Sequence, residues 1–167
     1  MPTNNATNTY IVVGANKEVT RPIQPSFSAT LHTTVTNVTG DGTQYVMSGL
    51  TTNFDLASNF DAVTGIFTAP VTGIYYFIGR LRPNIDSTAT SSVLQLITTA
   101  YTFNGSSWNP TTIKDVLKAV QCCVQVVTLL NAGDTAKFVV TDSGSTKIDD
   151  VWGFDLLING CCGCLLT

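Results

Sequence analysis

Five cysteines carry the most distinctive chemistry in this 167-residue chain: Cys122, Cys123, Cys161, Cys162 and Cys164. Neighbouring residues of a strand point to opposite faces, so Cys122 and Cys123 cannot jointly hold one metal from regular β structure. Structural zinc sites use C-x₂₋₄-C spacing, and neither C-C nor C-C-x-C matches it. No metal site is therefore expected from the thiols. Two readings remain: small buried hydrophobes, or interchain bridges formed by Cys161, Cys162 or Cys164 at a subunit contact or at the chain end. Under the first, a non-reducing gel shows mostly monomer after denaturation.

The acids are Glu18 and ten aspartates. Asp41, Asp61, Asp134, Asp142, Asp149 and Asp150 fall in predicted turns, where Asp is a common turn former. Calcium takes six to eight oxygen ligands, so Asp149-Asp150 is only a weak calcium candidate. The single histidine, His32, follows the first predicted core strand, and nothing in the sequence places a thiol beside it. No G-x-S-x-G elbow, phosphate-cradling loop or H-E-x-x-H helix is present. An enzyme is not expected.

Asn5-Ala6-Thr7, Asn37-Val38-Thr39 and Asn104-Gly105-Ser106 fit the glycosylation pattern, but chance matches are common where Asn and Thr abound. Tyr101, Phe103 and Trp108 flank Asn104-Gly105, a dipeptide suited to a tight hairpin turn. Aromatics near a loop tip suit ligand or glycan stacking; capping of the core or of an oligomer rim is the competing reading.

The elements that must position these residues are short strands. Residues 1–24 are rich in Asn and Thr and read as a flexible or attachment arm ended by Pro22 and Pro25. From Ser26 onward, short β-type runs alternate with turn clusters such as Asn37 to Gly42, Asn131 to Asp134 and Asp142 to Ser145, the pattern of a sandwich or barrel. Val93 to Phe103 and Val120 to Leu130 are the longer runs; Thr112 to Ala119 fits either a helical turn or an irregular strand. No window offers a capped amphipathic helix, so the expected fold is all-β.

Asn59 to Leu81 is the most informative stretch. After the Ala69-Pro70 and Thr72-Gly73 bends, alternation puts Ile74, Tyr76, Ile78 and Arg80 on one face and Tyr75, Phe77 and Leu81 on the other. Both faces are apolar until Arg80, whereas a half-exposed antiparallel strand shows one polar face. The strand thus needs two covers, a second sheet and a partner subunit.

Composition agrees. Only 11% of residues are charged and 44% are hydrophobic, against ~25% charged in an average domain. The eight Lys and Arg, with a formal net charge of −3, form no run, which argues against nucleic acid as a partner. The start lacks a basic n-region and an apolar h-region, so no signal peptide is expected. Gln121 and Gln125 interrupt the longest apolar region, which is too short for membrane insertion.

Several segments resemble the C1q-like domain of the C1q and tumour-necrosis-factor superfamily, especially its bacterial, phage and large-virus versions. They are Pro25 to Ala29, Asn37 to Thr43, Asn59-Phe60-Asp61 with Thr64-Gly65, Phe67 to Val71, Gly73 with Tyr75, Tyr76 and Phe77, and Ala132-Gly133-Asp134. The resemblance implies a two-sheet antiparallel jelly roll over residues 25–167, assembled as a homotrimer through the strand bearing Ile74, Tyr75, Tyr76, Phe77, Ile78 and Leu81. The family's last strand is aromatic; here Val151-Trp152-Gly153-Phe154 has the aromatics, but Cys161 to Leu166 has the position and is favoured, with Val151 to Ile158 an extra strand or loop before it. With the family's sheet order, that strand lies two ladder spacings, ~9.5 Å, from the Cys122 strand, beyond the ~7 Å limit for a disulfide. Some such trimers bind calcium through loop carboxylates; no other cofactor is implied. The implied role is a non-enzymatic knob, fibre tip or decoration on a virion or extracellular particle, docked to other particle proteins by its arm and presenting loops to a glycan or cell-surface receptor. The alternative is a freestanding secreted C1q-like lectin.

Overall fold

Period-two alternation, broken every few residues by Gly, Asn, Asp and Pro, produces strands and almost nothing else among the described residues. The computed structural model describes residues 12–13, 15, 19–20, 23–112, 120–153 and 159–166. In chain order the strands are β1 (Val12–Val13), β2 (Val19–Thr20), β3 (Ser26–Thr30), β4 (Val35–Thr39), β5 (Gln44–Val46), β6 (Thr51–Asp55), β7 (Phe60–Asp61) and β8 (Ile66–Thr68). They continue with β9 (Gly73–Leu81), β10 (Pro83–Asn84), β11 (Ser91–Thr98), β12 (Thr102–Trp108), β13 (Cys122–Leu130), β14 (Thr135–Ser143), β15 (Asp149–Val151) and β16 (Gly160–Leu165). One 3₁₀ turn, Pro110–Thr112, follows β12.

Two antiparallel sheets face each other. One runs β13-β9-β16-β3-β6; the other runs β12-β11-β14-β8-β7, with β5 also paired to β14. A small third sheet, β10-β15-β4, lies apart from these ladders, and β1 pairs with β2. The aromatic core sits between the two large sheets. Phe27 stacks on Phe60 at 4.1 Å, and Phe67 meets the edges of Tyr75 and Phe77 at 5.6 and 5.4 Å. Leu94, Leu96, Phe138 and Val140 complete it from the opposite sheet, and the Tyr75 hydroxyl donates to Val71 O at 2.7 Å. Burial of this size is the main drive to fold, at ~25 cal/mol per Å² of apolar surface.

Cys161 to Leu166 is indeed the segment that closes the sheet, between β9 and β3. Gly163 permits it: a Cβ there would lie 2.6 Å from the Phe77 ring and 2.7 Å from that of Phe27. The space beside Gly163 is filled by the rings of Phe77 and Phe27 on the two neighbouring strands.

Two expectations are corrected. Asn104-Gly105 is not a hairpin turn but lies inside β12. The chain reverses five residues earlier, at Thr99-Ala100, where Thr98 N donates to Tyr101 O at 2.8 Å. Gly105 is needed for close approach instead, since a Cβ would stand 2.5 Å from the Cys123 carbonyl oxygen. Asp61, Asp142, Asp149 and Asp150 lie in β7, β14 and β15 rather than in turns, because each pairs across a ladder: Asp61 with Ile66, Asp142 with Ser92, Asp149 with Thr39 and Asp150 with Asn84. Residues 113–119 and 154–158, and most of the expected arm, lie outside the described residues.

Candidate functional site

The even-numbered face of β9 has no cover within the described chain. Tyr75, Phe77 and Leu81 are fully buried, whereas Ile74 is 43% exposed and Tyr76 and Ile78 are half-buried. Directly paired residues of a ladder share a face, so the register reads out what surrounds them. Leu129 is opposite Ile74. Below it run Val127, Tyr76, Cys164 and Ser26, then Gln125, Ile78, Cys162, Ser28 and Phe54. The last row is Cys123, Arg80, Gly160, Thr30 and Thr51. Val127 and Leu129 are 59% and 60% exposed, with Phe54 and Leu166 also open. This is a contiguous apolar field carrying one cation, Arg80.

At its edge, β3 and β6 change register between Ser28 and Ala29. The change makes Asn53 the extra residue of a bulge, a device that re-aims a side chain. Its amide Nδ2 donates to Ser28 Oγ at 3.1 Å and to Thr30 Oγ1 at 2.8 Å. Nothing in the sequence signals this bulge; Asn53 and Arg80 are the site residues that sequence reasoning missed.

The five thiols divide by face. Cys122 and Cys161 are buried in the core, Cys123, Cys162 and Cys164 look outward half-buried, and all five are free. Cys161 is therefore removed from the candidates for interchain bridging, because period two turns it inward. Burial pushes the Cys161 thiol far up, and burial also raises Cys162 and Cys164, so none is an activated nucleophile of the depressed-pKa kind. Trp108 Nε1 donates to Cys122 Sγ at 3.3 Å.

That contact corrects the aromatic expectation. Trp108 and Phe103 pack against the core, while Tyr101 is 62% exposed with its ring 6.0 Å from that of Phe103. The five residues from Phe103 to Trp108 span roughly 16 Å of strand, so the three do not share one loop tip. The calcium pair is also divided: Asp149 is buried, accepting from Asp86 N at 2.7 Å, and Asp150 accepts from Asn37 N at 2.9 Å. Adjacent strand residues face apart, so the two carboxylates do not converge. Among the described residues no group of three His, Cys, Asp or Glu is arranged to hold a metal, and His32 is exposed just beyond β3. Among the described residues no helix is long and apolar enough to cross a membrane.

No protein-family model and no curated protein sequence matches the chain. In structure it is similar to the globular domain of zebrafish complement 1qA protein, with a TM-score of 0.58 at 18% identity over 86% of this chain and 98% of that one. It is similar also to the Eiger TNF of S. frugiperda, at TM-score 0.58 and 16% identity over 88% and 94% of the two chains. The PRD1 vertex protein P5 aligns at TM-score 0.55 and 11% identity over 87% and 99%. With its two facing antiparallel sheets and, among the described residues, near absence of helix, the chain has the all-β jelly-roll fold of C1q and TNF domains.

Proposed function

We propose that the chain is a non-enzymatic interaction module that assembles as a homotrimer and serves as a knob, fibre tip or decoration on a virion or other extracellular particle. One observation carries the reading: Ile74, Tyr76, Ile78, Val127 and Leu129 form an open apolar field on a sheet whose other face is already filled. Contiguous exposed apolar surface of this kind marks an interaction site, and a closed homo-oligomer is the usual way soluble chains bury one. Likeness in fold to C1q and TNF domains supports the number three, and likeness to a vertex protein supports the particle. Residues 1–24 act as the arm that docks to other particle proteins, and loops remote from the field meet a glycan or receptor.

Mass measurement of the native full chain in dilute solution tests the assembly. The wild type is expected as a trimer, and Tyr76→Asp with Ile78→Asp as a folded monomer, since both carboxylates would be buried unpaired on closure. A stable wild-type monomer overturns the reading. The exposed Tyr101 ring beside Phe103 favours the second reading, a freestanding lectin. Deleting residues 1–24 separates the two: lost incorporation into the particle with an intact trimer supports the structural role, and unchanged glycan binding by the freestanding protein supports the lectin.

A further inference from the structure

The apolar field is interrupted at one place, and the interruption is built. Gly160 contributes no side chain between Arg80 and Thr30, and the gap opens a pocket of about 250 Å³. Arg80 stands on one wall; Ser28, Thr30 and Asn53 form the other. Because Asn53 Nδ2 donates to both Ser28 Oγ and Thr30 Oγ1, the two hydroxyls are engaged as acceptors and each keeps its own hydrogen to give. Neither gives it to another described residue, and no described carboxylate pairs with Arg80. The pocket therefore presents a guanidinium and two hydroxyls whose hydrogens no described residue accepts.

We infer that this pocket binds a small oxyanion of the carboxylate or phosphate class, held by the Arg80 guanidinium and by the Ser28 and Thr30 hydroxyls. The guanidinium's parallel N–H donors suit two oxygens of one group. The Asn53 bulge aims the hydroxyls. Its consequence for assembly rests on the self-association proposed above: an unpaired Arg80 buried at a subunit contact opposes closure, and the anion relieves this. Binding itself does not depend on that reading. The oxyanion comes either free from solution or as a carboxylate of a second copy.

The test uses the full chain. Inorganic phosphate is titrated against chloride at constant ionic strength while thermal midpoint and native mass are followed, in the wild type, Arg80→Gln and Thr30→Val. The wild type is expected to respond, and Arg80→Gln to respond at concentrations at least about tenfold higher, as loss of one charge-assisted contact predicts; Thr30→Val, which keeps the shape and loses the hydroxyl, falls between. A rising trimer fraction with phosphate identifies a free anion as the occupant, and a falling one identifies a second copy's carboxylate displaced by phosphate. Equal behaviour of wild type and Arg80→Gln, including no response in either, overturns the inference. If every sample is a monomer, the self-association reading fails while the midpoints still decide the site.

Discussion

Asp142 is fully buried, and neither of its carboxylate oxygens has a hydrogen-bond partner among the described residues. Ser92, its ladder partner, has an unpartnered hydroxyl too. Burial pushes the Asp142 pKa up to about 6, opposed in part by the nearby Ser92 hydroxyl and reinforced by the charge of Asp149, and Asp149 is raised by burial as well. A carboxyl whose folded pKa is raised binds its proton more tightly when folded, so its contribution to stability is full below the unfolded value and is lost as pH rises from about 4 to about 6. For Asp142 the loss is on the order of 3 kcal/mol. Asp41 and Asp61 shift the other way through hydrogen bonds from Thr43 and Thr64, and that effect is lost below the same window. Urea unfolding is therefore expected to give a higher stability at pH 4.5 than at pH 7.5, as about 4 to 6 brackets the titration, and Asp142→Asn should flatten the difference. A wild-type profile flat across this range refutes the assignment. None of this is legible from the sequence, where Asp142 beside Ser143 and Gly144 reads as a turn; the two strands that bury it are distant in sequence.

Among the elements, β9 is the one whose sequence speaks most plainly. Its alternation between Tyr75, Phe77 and Leu81 inside and Ile74, Tyr76 and Ile78 outside follows from period two alone. Phe77→Ala should cost about 3–5 kcal/mol, read as a fall in the denaturant midpoint, because its ring contacts both Phe67 and Tyr75. A loss below about 1 kcal/mol would mean that the ring is not held in a close-packed core. β12 shows the opposite case. Asn104-Gly105 carries strong hairpin chemistry, yet the turn lies at Thr98 to Tyr101 because β12 must run beside β13, where Ser106 Oγ donates to Cys123 O at 3.0 Å. Gly105→Val is expected to destabilise by about 1–3 kcal/mol through overpacking against β13, and a neutral result would return Gly105 to a turn.

Across the whole molecule, the closing strand stands two ladders from β13, with β9 between them. Thiols on the two are therefore ~9.5 Å apart across the ladder, out of disulfide range. Denaturation with a thiol block, followed by a non-reducing gel, should give mostly monomer; a covalent trimer would place Cys162 or Cys164 at a self-contact close enough to bridge. The charge-poor composition and the two-sided β9 are what lead the sequence to predict a subunit of an assembly, while the register decides which residues share the uncovered face.

Alternation, turn chemistry and scarcity of charge are local properties, so the sequence by itself determines an all-β chain and the two apolar faces of β9. Sheet order and packing are long-range, and only the tertiary structure decided that Cys161 faces inward while Cys162 and Cys164 face out, that Asp149 and Asp150 point apart, and that Asp142 is buried. The Arg80 pocket belongs to the same class: it needs Gly160, the Asn53 bulge and Thr30 from three strands brought side by side, and no spacing along the chain encodes that meeting.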